Sequence, residues 1–482
     1  MGEQREKRSK VVSGLIWKSG ETISAKLISF VVTLVLARLL TPSDYGLVAL
    51  VLVFISIADV FMTSGFGTGL IQKSDADDVD FSTMFYFSTV CSILIYIGLF
   101  LLAPAIATFY RNDQLVLILR VFALKIPLSS VLAIQQAYVA RNMLFRRMFW
   151  STLVGTVISG VAGVLLAYLG WGVWALIAQY FINVLVSTFV LAITVPWRPR
   201  LLFSWDSARS LFGYSWKVLA ADLSGVFFFQ LRSLLIGRVF TPSDLAFYNK
   251  GLQLPTFISD NLSTSMMSVL FPAMADESKN PDRVRHYCYR SLSVLTFVVS
   301  PVMLGMFIVA EPLVDVLLTS KWLECVPFMR VFCIDCIISL LGVIPLQALK
   351  AIGRSDVLLR LEFVKKPAYV LLLLIGLRFD PFAVAVFMLL YDVYSVAVNM
   401  RQLSKYLNYR MLQQVTDIIP SLGPTVVMSL VIYFVPVPST SSLVVLLVKI
   451  AIGFAVFVVA SKLLRVKDYE YLADMVKKRI QD

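Results

Sequence analysis

The stretch "RLLTPSDYG", residues 38–46, closes the first apolar run of the chain, and "RVFTPSDLA", residues 238–246, repeats its core 200 residues later. In each copy Thr-Pro-Ser-Asp reads as the start of a helix. The Thr caps the first turn, the Asp three residues on caps it reciprocally, and Pro takes the first helical position, where its missing N–H is not needed. Arg38 and Arg238 stand just before the motif, within reach of Asp44 and Asp244. The correspondence extends backwards: "GLIWK", 14–18, matches "GYSWK", 213–217, at an offset of 199. Two landmarks in the same order and spacing predict an internal repeat, with helices one to six returning as helices seven to twelve. Six is even, so both copies have the same orientation and are related by an axis along the membrane normal. Two parallel lobes with a cleft between them form a transporter design.

The setting is lipid. Of 482 residues, 59% are hydrophobic and 15% charged, and the mean hydropathy is +0.82. Soluble domains carry about a quarter charged residues. The first apolar run follows "MGEQREKRSK" and is too long for a signal-peptide core, so it is expected to remain as a membrane anchor. A spanning helix needs about 20 apolar residues. Runs of that kind fall at 12–39, 45–71, 82–109, 114–140, 148–169, 173–195, 209–239, 246–273, 290–318, 325–349, 357–377, 382–403, 418–435 and 443–464. The predicted fold class is therefore an all-α integral membrane protein of 14 transmembrane helices. Residues 1–200 form an N-terminal six-helix lobe and 201–410 a C-terminal six-helix lobe. Residues 411–482 add two helices and a basic cytoplasmic tail.

Charge gives the orientation. With connectors assigned alternately, one side holds 27 Lys and Arg, including Arg5, Lys7, Arg8, Lys10, Arg283 and Lys477 to Arg479. The other side holds 3: Arg111, Lys321 and Arg378. Basic loops stay in the cytoplasm, so both termini are expected there. The net charge of +13 is then topology, and a nucleic-acid partner is not expected. The outer connectors are too short to house a catalytic domain, so the chain is not expected to be an enzyme.

Familiar chemical motifs are missing. The single histidine, His286, lies in a basic connector, which leaves none for a triad or a His-rich metal site. Cys333-x-x-Cys336 falls inside the apolar run "FMRVFCIDCIISLLGVI" and reads as helix packing. "SGFGTGLIQK", 64–73, is glycine-rich but closes a span and opens no soluble helix, so it is not a phosphate loop.

The informative residues are charges within the spans: Lys18, Glu21, Lys26, Asp59, Arg120, Lys125, Lys217, Asp222, Arg232, Lys250 and Asp260. Each would cost about 2.5–3.5 kcal/mol at mid-bilayer if it faced lipid. In the first helix Lys18, Glu21, Thr22, Lys26, Ser29 and Thr33 share about 140° of arc. In the eighth, Lys250, Gln253, Asn261, Thr264, Ser265 and Ser268 do the same. Two readings follow. Pairs such as Lys18 with Glu21, or Asp222 with Arg232, act only as glue between or along helices. Alternatively the stripes line a polar cavity whose cations exceed its anions, suited to a phosphate or pyrophosphate. Lys18, Lys125 and Lys250 also lie close enough to helix ends to snorkel. The carboxylates Glu21, Asp59, Asp222 and Asp260 are candidates for proton or sodium coupling, and no cofactor or metal is called for.

"ARLLTPSDYGLVAL", "GFGTGLIQ", "RNMLFRR" and "GWGVWALIAQ" resemble the Wzx-type flippases. These form the polysaccharide-exporter branch of the multidrug/oligosaccharidyl-lipid/polysaccharide superfamily, and the colanic-acid exporter group and its teichuronic-acid relatives stand nearest. The resemblance implies two six-helix lobes in a V plus two extra helices. It implies a monomer in the bacterial inner membrane that moves undecaprenyl-pyrophosphate-linked oligosaccharide to the outer leaflet, for lipopolysaccharide O-antigen, capsule or exopolysaccharide. A polysaccharide polymerase and a chain-length regulator are the implied partners, besides the lipid-linked glycan and membrane lipid. By the same resemblance Lys18, Lys26 and Lys250 line the cavity and receive the pyrophosphate. Arg120, Lys125, Lys217 and Arg232 are the next candidates. A cation-coupled multidrug exporter of the same fold is the alternative, and it would favour a cavity of carboxylates and aromatics.

Overall fold

A computed structural model describes residues 2–471, except 74 and 440, and residue 474; side chains are described from residue 13 on, except those of 15, 66, 214, 269 and 355. The side chains of Arg5, Lys7, Arg8 and Lys10, and the tail residues Lys477, Lys478 and Arg479, lie outside the described residues.

Among the described residues all regular structure is helical. In chain order the helices are α1 (Gly2–Leu39), α2 (Pro42–Gln72), α3 (Asp78–Tyr110), α4 (Gln114–Arg141) and α5 (Phe145–Tyr168). There follow α6 (Val173–Thr194), α7 (Trp205–Val239), α8 (Pro242–Asp276), α9 (Pro281–Ile308) and α10 (Ala310–Leu318). The last are α11 (Val326–Ala351), α12 (Ser355–Gly376), α13 (Pro381–Leu407), α14 (Met411–Phe434) and α15 (Ser442–Leu463).

Among the described residues, twelve of these rods are long and apolar enough to cross a membrane, which makes the chain a multi-pass membrane protein. The sequence reading counts two more, the eighth and eleventh. These are α8 and α12, which are long enough but too polar. α8 carries Asp244, Lys250, Asp260 and Asp276, and the first half of α12 carries Asp356, Arg360, Glu362, Lys365 and Lys366. The expected ninth span, 290–318, is also two pieces, because α9 ends at Ile308 and α10 begins at Ala310.

Both Thr-Pro-Ser-Asp motifs start helices as expected. At α2 the Thr41 N–H donates to Asp44 Oδ2 at 3.0 Å and Thr41 Oγ1 accepts from the Asp44 N–H at 3.3 Å. At α8 the same two bonds join Thr241 and Asp244 at 3.0 and 3.2 Å. Both carboxylates are thus committed to their own caps. Arg238 instead lies over the Phe109 ring, 5.0 Å from its centroid.

The chain divides into two compact units, Met1–Ala246 and Phe247–Asp482. The division lies within α8, whereas the sequence reading put it at 200. The reason is α7, which packs on α2 and α3. In the first unit α5 pairs with α6 and with α1, and Ser151 Oγ donates to the Ser187 carbonyl at 2.8 Å. Its core gathers Met62, Phe81, Met84, Ile134 and Trp197, with Trp197 stacked on Tyr138 at 6.1 Å. In the second unit α11 packs on α9 and α13, and α14 on α9 and α15. Trp322, Tyr248 and Tyr409 are its largest fully buried side chains.

Candidate functional site

In the first unit α1 presents three faces. Gly14 and Glu21 are buried against α5; a Cβ at Gly14 would press on the Phe145 ring. Ile16, Ile23, Leu27 and Val31 form an exposed apolar face. Between these two faces, Thr22, Lys26 and Ser29 are exposed on a polar stripe, with Lys18 half-exposed at its edge. A helix that keeps an apolar and a polar exposed face in a membrane protein has two solvents to meet, lipid on one side and water or a polar ligand on the other.

Glu21 is absorbed into packing. Lys18 Nζ lies 2.5 Å from its Oε2, and Thr152 Oγ1 on α5 donates to its Oε1 at 3.0 Å. The glue reading therefore holds for this pair, although the Lys18 side chain stays 43% exposed. It does not hold for Asp222 with Arg232. They are ten residues apart on one straight helix, roughly 15 Å of rise. Asp222 is exposed, and Arg232 is half-buried with its guanidinium 5.9 Å from the Phe229 centroid.

Asp59 and Lys125 join two other helices. Lys125 follows the break at Leu124 in the middle of α4, and its Nζ is 2.7 Å from Asp59 Oδ2 on α2. Asp59 Oδ1 is buried without a hydrogen bond. Just beyond it the α2 ladder loosens into a π-helical stretch, Phe61–Gly67, and on the preceding turn Ser56 accepts from Gln230 Nε2 of α7 at 2.7 Å. Arg120 is held by α3, where its Nε donates to the Phe100 carbonyl at 3.3 Å and its guanidinium covers the Phe100 ring at 4.3 Å. Lys217 is exposed. Of the expected cations in this unit, then, Lys18, Lys26 and Lys217 reach an open surface, while Lys125 and Arg120 are engaged in the framework.

In the second unit Lys250 is 8% exposed. Its Nζ donates to Gln253 at 3.2 Å and lies 5.6 Å from the centre of the Trp322 ring. It is turned inward and does not snorkel. Among the described residues of α8 up to Ser268, those exposed are Gln253, Asp260, Thr264, Ser265 and Ser268.

Two features of this unit escaped the sequence reading. Lys365, 4% exposed, pairs with Glu362 at 3.0 Å. Lys449 breaks the run "VLLVKIAIG" of α15 and, among the described residues, is the only charged one on a cavity of about 630 Å³. The wall is otherwise apolar: Leu254 and Ile258 of α8, Phe297 and Met306 of α9, Met428 of α14 and Phe457 of α15. A lysine inside the last apolar run was the available signal.

The family described as "Polysaccharide biosynthesis protein" matches residues 35–327. The chain is 26% identical over 295 residues to the succinoglycan biosynthesis transport protein ExoT of Rhizobium meliloti, a match spanning 61% of this chain and 60% of that protein. It is 23% identical over 355 residues to the teichuronic acid biosynthesis protein TuaB of Bacillus subtilis, 72% of each. It is 23% identical over 381 residues to the lipopolysaccharide biosynthesis protein WzxC of Escherichia coli, 77% of this chain and 75% of that one. Among solved structures the fold is similar to that of the lipid II flippase MurJ in an inward closed conformation, with a TM-score of 0.75 at 13% identity over 96% of this chain and all of that one. An inward-facing multidrug transporter of the MATE family matches less well, at a TM-score of 0.62 and 13% identity over 82% of this chain and 98% of that one.

Proposed function

We propose, for a chain that belongs to the polysaccharide biosynthesis protein family, that it is a flippase. It moves undecaprenyl-pyrophosphate-linked oligosaccharide units across the bacterial inner membrane for surface polysaccharide synthesis. The observation that carries this reading is the exposed polar stripe of α1, where Lys18, Thr22, Lys26 and Ser29 run along a helix whose other exposed face is Ile, Leu and Val. A stripe of that length cannot face lipid without cost, and its charge is positive. Ammonium groups on flexible stems follow a phosphate as it moves and release it again.

The finer architecture belongs to the same proposal. Fourteen spans, counting α8 and α12, give two parallel six-helix lobes in a V plus α14 and α15, with both termini cytoplasmic. An α8 that lines a polar path needs no further apolar residues. The substrate's lipid tail lies against apolar surface while its pyrophosphate follows the cations. Asp222 and Asp260, both exposed, are candidates for proton or sodium coupling, as are Asp59 and Glu21, which are paired with Lys125 and Lys18. A drug exporter of the same fold is less well supported, because cations predominate on the α1 stripe.

The test is export of lipid-linked glycan in vesicles reconstituted with the purified protein. Lys18→Gln with Lys26→Gln, or Lys26→Gln with Lys250→Gln, should abolish movement to the outer face while the protein stays folded and inserted. Arg at the same positions should retain more activity than Gln. Normal transport by both Gln pairs would place the pyrophosphate site elsewhere.

A further inference from the structure

Two further stretches of the chain recur together. "RVFA", 120–123 on α4, matches "RVFC", 330–333 on α11, and "FLLAP", 100–104, matches "FIVAEP", 307–312, with Glu311 inserted. Within each unit the two stretches meet in the same way. Arg120 Nε donates to the Phe100 carbonyl at 3.3 Å, and its guanidinium lies 4.3 Å from the centre of the Phe100 ring. Arg330 Nε donates to the Phe307 carbonyl at 3.4 Å, and its guanidinium lies 5.9 Å from the centre of that ring. Phe122 and Phe332, two residues after each arginine, are fully buried, as are Ala103 and Ala310, so packing sets the register of both contacts. Among the described residues neither guanidinium has a carboxylate partner.

The prolines say what the arginines are for. Pro104 lies inside α3 and has no N–H for the carbonyl four residues before it, that of Phe100. Leu101 and Leu102 are exposed, so this carbonyl is on a stretch that meets lipid, where no water replaces the missing donor. A carbonyl left unmet there costs as much as a lost hydrogen bond. Arg120 supplies the donor from the next helix. In the second unit Pro312 stands one residue later and leaves Ile308 without its donor. The ladder stops there, α10 begins at Ala310, and Arg330 meets the carbonyl next to the break.

We propose that Arg120 and Arg330 are positioning residues, each fixing the bend at a proline break in the helix before its own. In the first unit the clamp ties the hairpin of residues 104–123 to the part of α3 that precedes the break. A helix that lacks a ladder bond bends at that point, and without the clamp the hairpin swings as a separate piece. With it, α3 and the start of α4 move as one arm. Rocking of intact lobes in a two-lobed transporter needs arms of that kind. Arg120 then works through its Nε–H and is not an anion site. The clamp does not depend on the flippase reading, because the bend belongs to the unit at rest.

Substitutions separate the two uses of the arginine. Glutamine puts its amide nitrogen at the place in the side chain where arginine has Nε, and it carries no charge. Methionine has no donor there. The readout is the spread of separations between two nitroxides, measured by pulsed electron spin resonance on the full chain in nanodiscs. The nitroxides are attached through genetically encoded ketone amino acids at positions 90 and 117, on either side of the bend, where Val90 and Leu117 are exposed. Wild type and Arg120→Gln should give the same narrow distribution, and Arg120→Met should broaden it. Pro104→Ala returns an N–H to the Phe100 carbonyl. Added to Arg120→Met, it should narrow the distribution again, and it should recover insertion if the Met variant inserts poorly. A narrow distribution in Arg120→Met, broadening by Gln as large as by Met, or no recovery by Pro104→Ala would each overturn the proposal. No transport is measured, so these outcomes are separate from those of the Lys26 pairs, which test the flippase reading.

Discussion

Asp59 and Lys125 face each other at 2.7 Å with side chains 31% and 13% exposed. Either alone would be a poorly solvated charge in the middle of the helices. Removing one partner of a largely buried pair leaves the other uncompensated, at a cost of about 2–3 kcal/mol for a pair with this residual exposure. Lys125→Met should therefore lower the thermal unfolding midpoint in detergent, and Asp59→Asn added to it should recover most of the loss. If the double variant is as stable as wild type but no longer transports, the pair has a role beyond holding α2 to α4. Lys73, in the connector after α2, behaves differently. Its hydrogen bond to Asp80 raises its pKa above the ordinary lysine value. A group raised on folding contributes stability below its ordinary pKa and loses it as pH climbs through the raised value. The stability difference between wild type and Lys73→Gln should stay constant from neutral pH to about pH 9 and shrink only in strong alkali. Single residues were unevenly legible in the sequence. Lys18 with Glu21 was readable because three residues bring two side chains together on a helix. The inward turn of Lys250 under Trp322 was not, because it depends on what packs over α8.

At the scale of the element the caps were fully legible, since Thr-Pro-Ser-Asp specifies its own bonds. Thr41→Ala and Thr241→Ala should each cost about 1 kcal/mol, measurable by unfolding in detergent. Gly46 is a sharper case. It lies one turn into α2, and a Cβ there would collide with the Pro242 carbonyl at the start of α8. The two motif copies thus meet where each helix begins, and the repetition that opened the reading of the chain has a structural outcome: two matched caps packed backbone to backbone. Gly46→Val should insert normally but lose transport, because the contact cannot re-form. Unchanged transport by Gly46→Val would mean that this close approach is dispensable. Other elements resisted prediction for physical reasons. The π-helical stretch Phe61–Gly67 depends on an i→i+5 ladder that no side-chain pattern announces. The break between α9 and α10 comes four residues before Pro312, which has no N–H for the Ile308 carbonyl, but that proline sits within an apolar run that reads as one span. The polarity of α8 and α12 leaves them outside the helices that hydropathy marks as spans, because their charged residues lower the mean hydropathy of any 18-residue window.

For the whole molecule the strongest constraint is charge asymmetry. Counted over fourteen alternating connectors, one side has 27 basic residues and the other 3. If α8 or α12 alone did not span, every connector after it would change sides, and if neither did, those between them would; in each case this separation would be degraded. Charge therefore favours two spans that hydropathy alone does not recognise, and by the positive-inside bias the basic side is expected to be cytoplasmic. The expectation can be tested by single cysteines in a chain whose five natural cysteines are replaced. Cysteine at 282, in the first turn of α9, should resist an impermeant thiol reagent in intact spheroplasts and react after permeabilisation. Cysteine at 321, between α10 and α11, should react from outside. The deciding position is 378, just past the end of α12. If both polar helices cross, it is external. If α8 crosses and α12 does not, position 378 is protected while 282 and 321 behave as expected. Labelling of 282 from outside would remove α8 as a span and, with it, the parallel arrangement of the two lobes on which the flippase cleft depends.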